Sequence, residues 1–157
     1  RQQEFLRQAG IETKWVERIP LPFPTHGGLH YRDQYVFHIR QYLLAVAKAA
    51  ADYPHVREYR AWPGPNSNTF TAWVARAVPE LEVDLPPTAI GKDYLADRIV
   101  ASAPSGHGVQ FSLGGLLALT ASPVEGLELN VLGLTFGVNP FDPALKLPLL
   151  GRIGPSR

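Results

Sequence analysis

Apolar and polar residues alternate along Val109-Gln110-Phe111-Ser112-Leu113 and again along Leu127-Glu128-Leu129-Asn130-Val131-Leu132. A period of two is typical of β-strands whose two faces meet different surroundings. The run from Leu117 to Thr120 nearly alternates as well, and glycines and prolines separate the three runs. These glycines and prolines are turn signals. The pattern predicts a small antiparallel sheet built largely from the C-terminal third of the chain.

No lysine or arginine lies between Arg98 and Lys146, where valine, leucine, phenylalanine and glycine dominate. The stretch from Gly108 to Val124 has no charged residue at all, which raises the question of a membrane-spanning helix. A span needs roughly twenty mostly apolar residues, and this stretch is shorter and contains polar residues, glycines and a proline. A buried strand pair is the favoured interpretation, and a face that lies on a membrane surface is the alternative.

Two principal helices precede this apolar region. Asp33 is a suitable cap for a helix over residues 34–52, which Pro54 ends because proline disfavours helical geometry at the residue before it. The second helix follows Pro63-Gly64-Pro65, is capped by Ser67 or Asn68 and stops at Pro79. Its buried stripe is predicted to be Phe70, Trp73, Val74 and Ala77.

Between the helices, residues 56–62 contain Val, Tyr and Trp and alternate loosely, which predicts a strand. Residues 1–33 are predicted to form an N-terminal arm and a linker stiffened by Pro20, Pro22 and Pro24. Residues 34–157 are then a single domain. The fold class is α+β, with two main helices and a small antiparallel sheet.

Composition excludes several classes of function. The chain of 157 residues has 15 Lys and Arg against 14 Asp and Glu, so its net charge of +1 does not indicate a nucleic-acid binder. It has no cysteine, which rules out disulfides, zinc–thiolate sites and a cysteine nucleophile. There is no phosphate-binding loop, dinucleotide fingerprint or His-Glu-x-x-His motif, so no cofactor is predicted. His26, His30 and Asp33 have no fixed ligand spacing, so no metal site is predicted.

Several motifs are specific in combination. They are Trp62-Pro63-Gly64-Pro65-Asn66-Ser67-Asn68-Thr69-Phe70, Leu85-Pro86-Pro87-Thr88-Ala89-Ile90-Gly91-Lys92-Asp93-Tyr94, Pro104-Ser105-Gly106-His107-Gly108-Val109-Gln110 and Pro143-Ala144-Leu145-Lys146-Leu147-Pro148. Over about residues 39–154 the chain resembles an uncharacterised bacterial domain-of-unknown-function family. Its members resemble envelope proteins with an N-terminal membrane anchor. The resemblance implies a bacterial envelope location, membrane-associated or periplasmic, and it implies no activity.

A more distant similarity is to the circularly permuted papain-like superfamily of cell-wall amidases and acyltransferases. In that superfamily an Asn-Cys pair opens a helix, an aromatic residue follows shortly after, and an earlier strand supplies a histidine. The segment Asn66-Ser67-Asn68-Thr69-Phe70 has the same form with serine in place of cysteine. The similarity implies a permuted papain-like topology as a refinement of the α+β fold.

Ser67 is the candidate nucleophile, because the start of a helix offers free amide hydrogens that stabilise an oxyanion. A serine needs a base to remove its proton, and His107, His26 and His30 are the candidates. Asn66, Asn68 and Thr69 are the candidate ligand-binding residues. Ser and Asn are also preferred helix caps, so a purely structural role for this segment is the alternative.

The functional prediction combines these points. The site lacks a cysteine and an evident paired base, and the apolar C-terminal region is long for a small soluble enzyme. The sequence therefore favours a non-catalytic or catalytically degenerate envelope domain that associates with a protein partner or a membrane surface. The alternative is a serine-dependent amide or ester hydrolase, or an acyltransferase, that uses Ser67; whether the chain is an enzyme is left open.

Overall fold

The structure is a computed structural model that describes the backbone of residues 29–154 and the side chains from residue 39 onward. The chain divides into two compact units, Arg1–Ala47 and Lys48–Arg157. Most of the proline-rich arm expected over residues 1–33 lies outside the described residues. The domain boundary expected after residue 33 therefore stays a prediction.

Helix α1 spans Leu29–Ala51 and so begins earlier than the predicted helix over residues 34–52. Its end is close to the predicted one. The amide of Asp52 still donates to the carbonyl of Lys48 at 2.9 Å, and Pro54 then prevents a further helical turn. None of the helices in the described part of the chain is long and apolar enough to cross a membrane.

Helix α2 spans Ser67–Ala77 and is followed by a short 3-10 turn over Pro79–Leu81. The predicted buried stripe is wrong. The buried residues of α2 are Thr69, Ala72 and Ala75, whereas Phe70 is 37% exposed. Ala72 packs against Leu85 and Ala89 of the segment that follows the helix.

The strand predicted over residues 56–62 is also wrong, because this segment consists of turns, bends and irregular backbone. The amide of Glu58 donates to the carbonyl of His55 at 3.1 Å, and the amide of Arg60 donates to the carbonyl of Pro65 at 2.7 Å. The aromatic and β-branched residues of this segment have no partner strand in the described structure and are largely exposed. Strand-forming composition stabilises a strand only where such pairing exists.

The sheet has seven antiparallel strands, each paired with the next in the chain, and is therefore larger than the small sheet that was predicted. The α+β class itself is confirmed. The strands are β1 (Val100–Ser102), β2 (Val109–Leu113), β3 (Leu117–Ser122), β4 (Gly126–Val131), β5 (Leu134–Asn139), β6 (Ala144–Leu147) and β7 (Gly151–Ile153). The alternating runs of the sequence correspond to β2, β3 and β4.

The two faces of the sheet have the opposite exposure from that of an ordinary soluble sheet. Gln110, Thr120, Glu128 and Lys146 follow one another across β2, β3, β4 and β6 through the strand registers, and all four are buried. The apolar residues that alternate with them are exposed. An antiparallel sheet with one solvated face normally turns its apolar side inward.

An ionic cluster lies beneath this polar face. The Glu128 carboxylate accepts from the Lys92 ammonium at 2.5 Å and from the Lys146 ammonium at 2.7 Å. Lys146 also donates to Asp84 at 2.6 Å and to the carbonyl of Glu125 at 3.0 Å. Lys92, Lys146 and Glu128 are each at most 3% exposed. Buried charges are tolerated only when they are paired and hydrogen-bonded, as these are.

A second polar cluster adjoins the first. The Asp93 carboxylate accepts hydrogen bonds from the side-chain amides of Gln110, at 2.6 Å, and Asn130. The Arg76 guanidinium donates to the Gln110 side-chain oxygen at 2.5 Å, which links α2 to this cluster. Burial raises the pKa of Asp93, outweighing the opposite effects of Lys92 and of the Asn130 hydrogen bond. The segment around Asp93 is thus attached to the sheet by polar bonds.

Replacing Glu128 tests the ionic cluster. We expect Glu128→Gln to lower the free energy of unfolding by about 3–5 kcal/mol, because two buried ammonium groups lose their shared carboxylate. Lys48→Gln is the matched control, since the Lys48–Asp52 pair at 2.5 Å is exposed on both sides, and it should cost no more than about 0.5 kcal/mol. Urea denaturation measures both. A loss below about 1 kcal/mol for Glu128→Gln would contradict the assigned role.

The raised pKa of Asp93 gives a pH-dependent prediction. At a pH just above the usual value of 3.8, the folded state keeps a proton on Asp93 that the unfolded state has lost. The contribution of Asp93 to stability therefore falls as the pH rises from 3.8 through the folded pKa. Asp93→Asn has no such titration. The unfolding free energy of the wild type minus that of Asp93→Asn should decrease as the pH is raised above about 4; an unchanged or increasing difference would refute it.

Candidate functional site

The Ser67 hydroxyl belongs to the first residue of α2 and is exposed. The predicted cap, Ser67 or Asn68, is wrong. Asn66 caps the helix, with an extended backbone and a capping box in which its side chain and that of Thr69 accept each other's backbone amide hydrogens. Asparagine is as good a cap as serine, so composition alone did not separate the neighbouring positions.

The Asn66 side chain is fully engaged within the chain. Its Oδ1 accepts from the amides of Asn68 at 2.9 Å and Thr69 at 3.1 Å. Its Nδ2 donates to the carbonyls of Ala61 at 2.9 Å and Ile90 at 3.0 Å. An asparagine amide has two donors and two acceptor lone pairs, and all four are used here. The backbone amides of Asn68 and Thr69, which an oxyanion at the start of α2 would need, are therefore already bound to Asn66.

Asn68 and Thr69 hold the loop that contains Gly91. Asn68 Nδ2 donates to the Ile90 carbonyl at 2.8 Å, and Thr69 Oγ1 donates to the Gly91 carbonyl at 2.8 Å. A Cβ atom on Gly91 would lie 2.3 Å from Asn66 Nδ2, so glycine is needed for this approach. The three predicted ligand-binding residues thus join two sequence motifs, and a ligand there would have to replace these hydrogen bonds.

The structure does not bring His107 and Ser67 together. His107 Nε2 lies 3.2 Å from the carbonyl of Pro79, which follows the C-terminal end of α2. Ser67 opens the same helix, and eleven residues span about 16 Å. His26 lies outside the described residues, and His30 is in α1 with its side chain outside them. A pairing of Ser67 with either of these two stays a prediction.

The most extensive surface feature is the outward side of the sheet, which we call the apolar sheet face. Strand registers place its members in cross-strand rows, such as Val100–Phe111–Leu119–Leu129–Phe136. Each side chain is between 40% and 59% exposed. The face comprises fourteen residues: Val100, Val109, Phe111, Leu113, Leu117, Leu119, Leu127, Leu129, Val131, Leu134, Phe136, Val138, Leu145 and Ile153.

The turns at one end of the sheet extend this apolar surface. Leu116, Leu132, Leu149 and Leu150 lie in the turns after β2, β4 and β6 and are 42–83% exposed. Glu125 and Glu128, two of the three acidic residues between Arg98 and Lys146, are buried beneath the other face. Monomeric proteins rarely expose a continuous apolar patch of more than a few hundred Å², and larger ones mark interaction surfaces.

Sequence reasoning identified the apolar C-terminal region but not which face of the sheet would be covered. The signal for the covered face was the identity of the polar residues that alternate with the apolar ones along the strands. Gln110, Glu128 and Lys146 are paired by register with other polar or small residues on one face. A surplus of charged partners elsewhere in the chain, such as Lys92 and Asp93, was available to cover that face, but only the fold shows that they do.

Comparison with known proteins finds one family match and no activity. Residues 31–94 match a family described as protein of unknown function (DUF3750). The match includes the motifs around Asn66 and Gly91 and ends before β1, so the apolar sheet face lies outside it. No curated protein matches the chain, and no solved structure does. The match supports an uncharacterised family.

Two alanine variants separate the cap from its neighbour. Asn66→Ala should lower the free energy of unfolding by about 2–3 kcal/mol, because it removes the helix cap and a donor to the buried loop. Ser67→Ala should change it by less than about 0.5 kcal/mol, since this side chain is exposed. Thermal and urea unfolding measure both. An equal loss in the two variants would show that the cap is assigned to the wrong residue.

Proposed function

We propose that this chain is a non-catalytic association domain of a bacterial envelope protein, and that its apolar sheet face docks on the same face of a protein partner, a second copy of this chain. The observation that carries the proposal is the exposure of fourteen apolar side chains on one face, with the polar residues turned inward. The resemblance to envelope proteins supports the location. The alternation of the strands supports a surface fixed by the fold rather than a chance patch.

Fully burying a Val, Leu, Ile or Phe side chain contributes about 1.5–3 kcal/mol, so covering side chains that are half exposed contributes roughly half of that each. Over the whole face this amounts to on the order of 10 kcal/mol before the cost of association is subtracted. A partner of matching shape therefore has a substantial driving force, and water is an unfavourable neighbour for this face.

A protein partner fits the charge distribution better than a membrane surface. Peripheral membrane faces usually add lysines and arginines that are attracted to anionic lipids. This region has none between Arg98 and Lys146. Two sheets pack face to face about 10 Å apart through interdigitated apolar side chains. A second copy of this chain presents such a sheet, and two uncharged faces meet without repulsion.

A serine-dependent hydrolase or acyltransferase with a papain-like topology is the alternative proposal. Its support is the exposed Ser67 hydroxyl at the start of α2. It requires a base from His26 or His30, since His107 is bound near the other end of the helix. Assays on ester, amide, peptidoglycan and lipid substrates with Ser67→Ala test it, and an activity that Ser67→Ala abolishes would favour the enzyme.

Self-association of the full chain tests the association proposal. We expect sedimentation equilibrium to show a dimer that does not weaken as sodium chloride is raised, because apolar burial rather than charge drives it. Leu129→Lys, at the middle of a cross-strand row, should weaken dimerisation at least about tenfold by placing a charge in the interface. Val56→Lys is the matched control, because Val56 is 72% exposed and lies outside the sheet, and it should have no effect.

Vesicle flotation distinguishes a protein partner from a membrane surface. The dimer proposal expects no flotation with neutral or anionic phospholipid vesicles. A monomer that floats with vesicles, and no longer does so as Leu129→Lys, would replace the protein partner by a membrane surface. A monomer that ignores vesicles, or a dimer unaffected by Leu129→Lys, would overturn the role of the apolar sheet face.

A further inference from the structure

A cleft of about 320 Å³ lies beside α2. One wall is the helix face formed by Thr69, Trp73, Arg76 and Ala77. The other wall consists of residues 94–98, with Pro54, His55, Ala101 and Ser102 completing it. Ligand pockets begin at about 300 Å³, so the cleft has room for a small organic molecule.

Arg76 is the chemically distinctive group in this cleft. Its Nε donates to the Ser102 carbonyl at 3.0 Å, and its Nη2 donates to the Lys92 carbonyl at 3.2 Å and to the Gln110 side chain at 2.5 Å. All three acceptors are neutral. A guanidinium has five N–H donors, so the two on Nη1 remain for another acceptor. Burial lowers the pKa of Arg76 to about 10, against the attraction of Asp93 and Glu125.

The other lining residues indicate the shape and charge of a ligand. Trp73, Tyr94 and His55 give the cleft aromatic sides, and the His55 and Tyr94 rings meet edge to face at 6.2 Å. Arg98 adds a second positive charge at an exposed position, and Asp97 lies beside it. Aromatic sides accept a ring or a branched apolar group, and an arginine fork matches a carboxylate.

The charge balance distinguishes a carboxylate from a phosphate. Arg76 is the half-buried cation of the cleft, and the carboxyl groups of Asp93 and Glu125 lie within electrostatic range of it. Asp97 contributes a further negative charge to the lining. A dianion would be repelled by Asp97 and Glu125 more strongly than a monoanion, and a monoanion would complete the surroundings of Arg76. We propose that this cleft is a binding site for a small monocarboxylate with an aromatic or branched apolar group, held by Arg76 and Arg98.

Binding of 3-phenylpropanoate to the full chain tests this site. We expect perturbation of the backbone amide signals of residues 94–98 and of the Trp73 indole signal in titrations followed by nuclear magnetic resonance. The neutral 3-phenylpropanamide should bind at least about tenfold more weakly, because it lacks the charge that Arg76 recognises. Inorganic phosphate should also bind more weakly. Equal binding of acid and amide would overturn the proposal.

Substitutions of residues that line the cleft test whether 3-phenylpropanoate binds there. Arg98→Gln should weaken binding of 3-phenylpropanoate about three- to tenfold through loss of a partly screened charge, whereas the exposed Arg57→Gln outside the cleft should not. Ala77→Phe should fill the cleft and reduce binding of both the acid and the amide. Arg76→Lys keeps a charge but loses the fork, and it should weaken binding at least about tenfold.

Folding is monitored by circular dichroism for every variant. If Arg76→Lys does not fold, Arg98→Gln and Ala77→Phe decide the question, since both residues are at exposed positions. Binding that survives Ala77→Phe, or that responds equally to Arg57→Gln and Arg98→Gln, would show that the cleft is not the site. Dimerisation through the apolar sheet face is measured separately, so the two proposals can fail independently.

Discussion

The Glu128 carboxylate, shared between the ammonium groups of Lys92 and Lys146, is the interaction on which the rest of the structure depends. Lys146 and Glu128 come from strands β6 and β4, and Lys92 comes from the segment between α2 and the sheet. Breaking such a buried pair leaves a charge without compensation, which is costly. The cluster therefore fixes which face of the sheet is covered, and α2 and the segment before β1 are the elements that cover it.

Because the polar face is covered, the apolar residues of the strands point to the exposed face. Successive side chains of a strand point to opposite faces, so burying Glu128 turns Leu127 and Leu129 outward. The interior is then filled by lysine and glutamine stems together with small residues such as Ala72 and Ala118. The methylene groups of lysine bury apolar area while the charge is paired. In such a domain the polar groups stabilise the interior, and the apolar sheet face stays exposed and can contact another molecule.

The sequence allowed the fold class, strands β2 to β4 and both helices to be predicted, because periodicity and proline signals are local. It did not allow the strand pairing of β5 to β7, the absence of a strand at residues 56–62, or the cap at Asn66 to be predicted. Each of these depends on a distant partner. Asn66 is distinguished from Ser67 by its bonds to Ala61 and Ile90, and Arg76 is brought to the cleft by acceptors on β1, β2 and the Lys92 segment.

The segment from Asn66 to Thr69 is better understood as part of this same architecture than as an isolated site. By holding the Ile90 and Gly91 carbonyls, Asn66 and Thr69 place the next two residues, Lys92 and Asp93, beneath the sheet. Arg76 completes the connection, because one of its nitrogens binds both the Lys92 carbonyl and Gln110. The start of α2 positions the buried charges, and its last turn joins them to the cleft. A molecule that bound Arg76 would therefore contact the polar interior that determines which face the sheet presents.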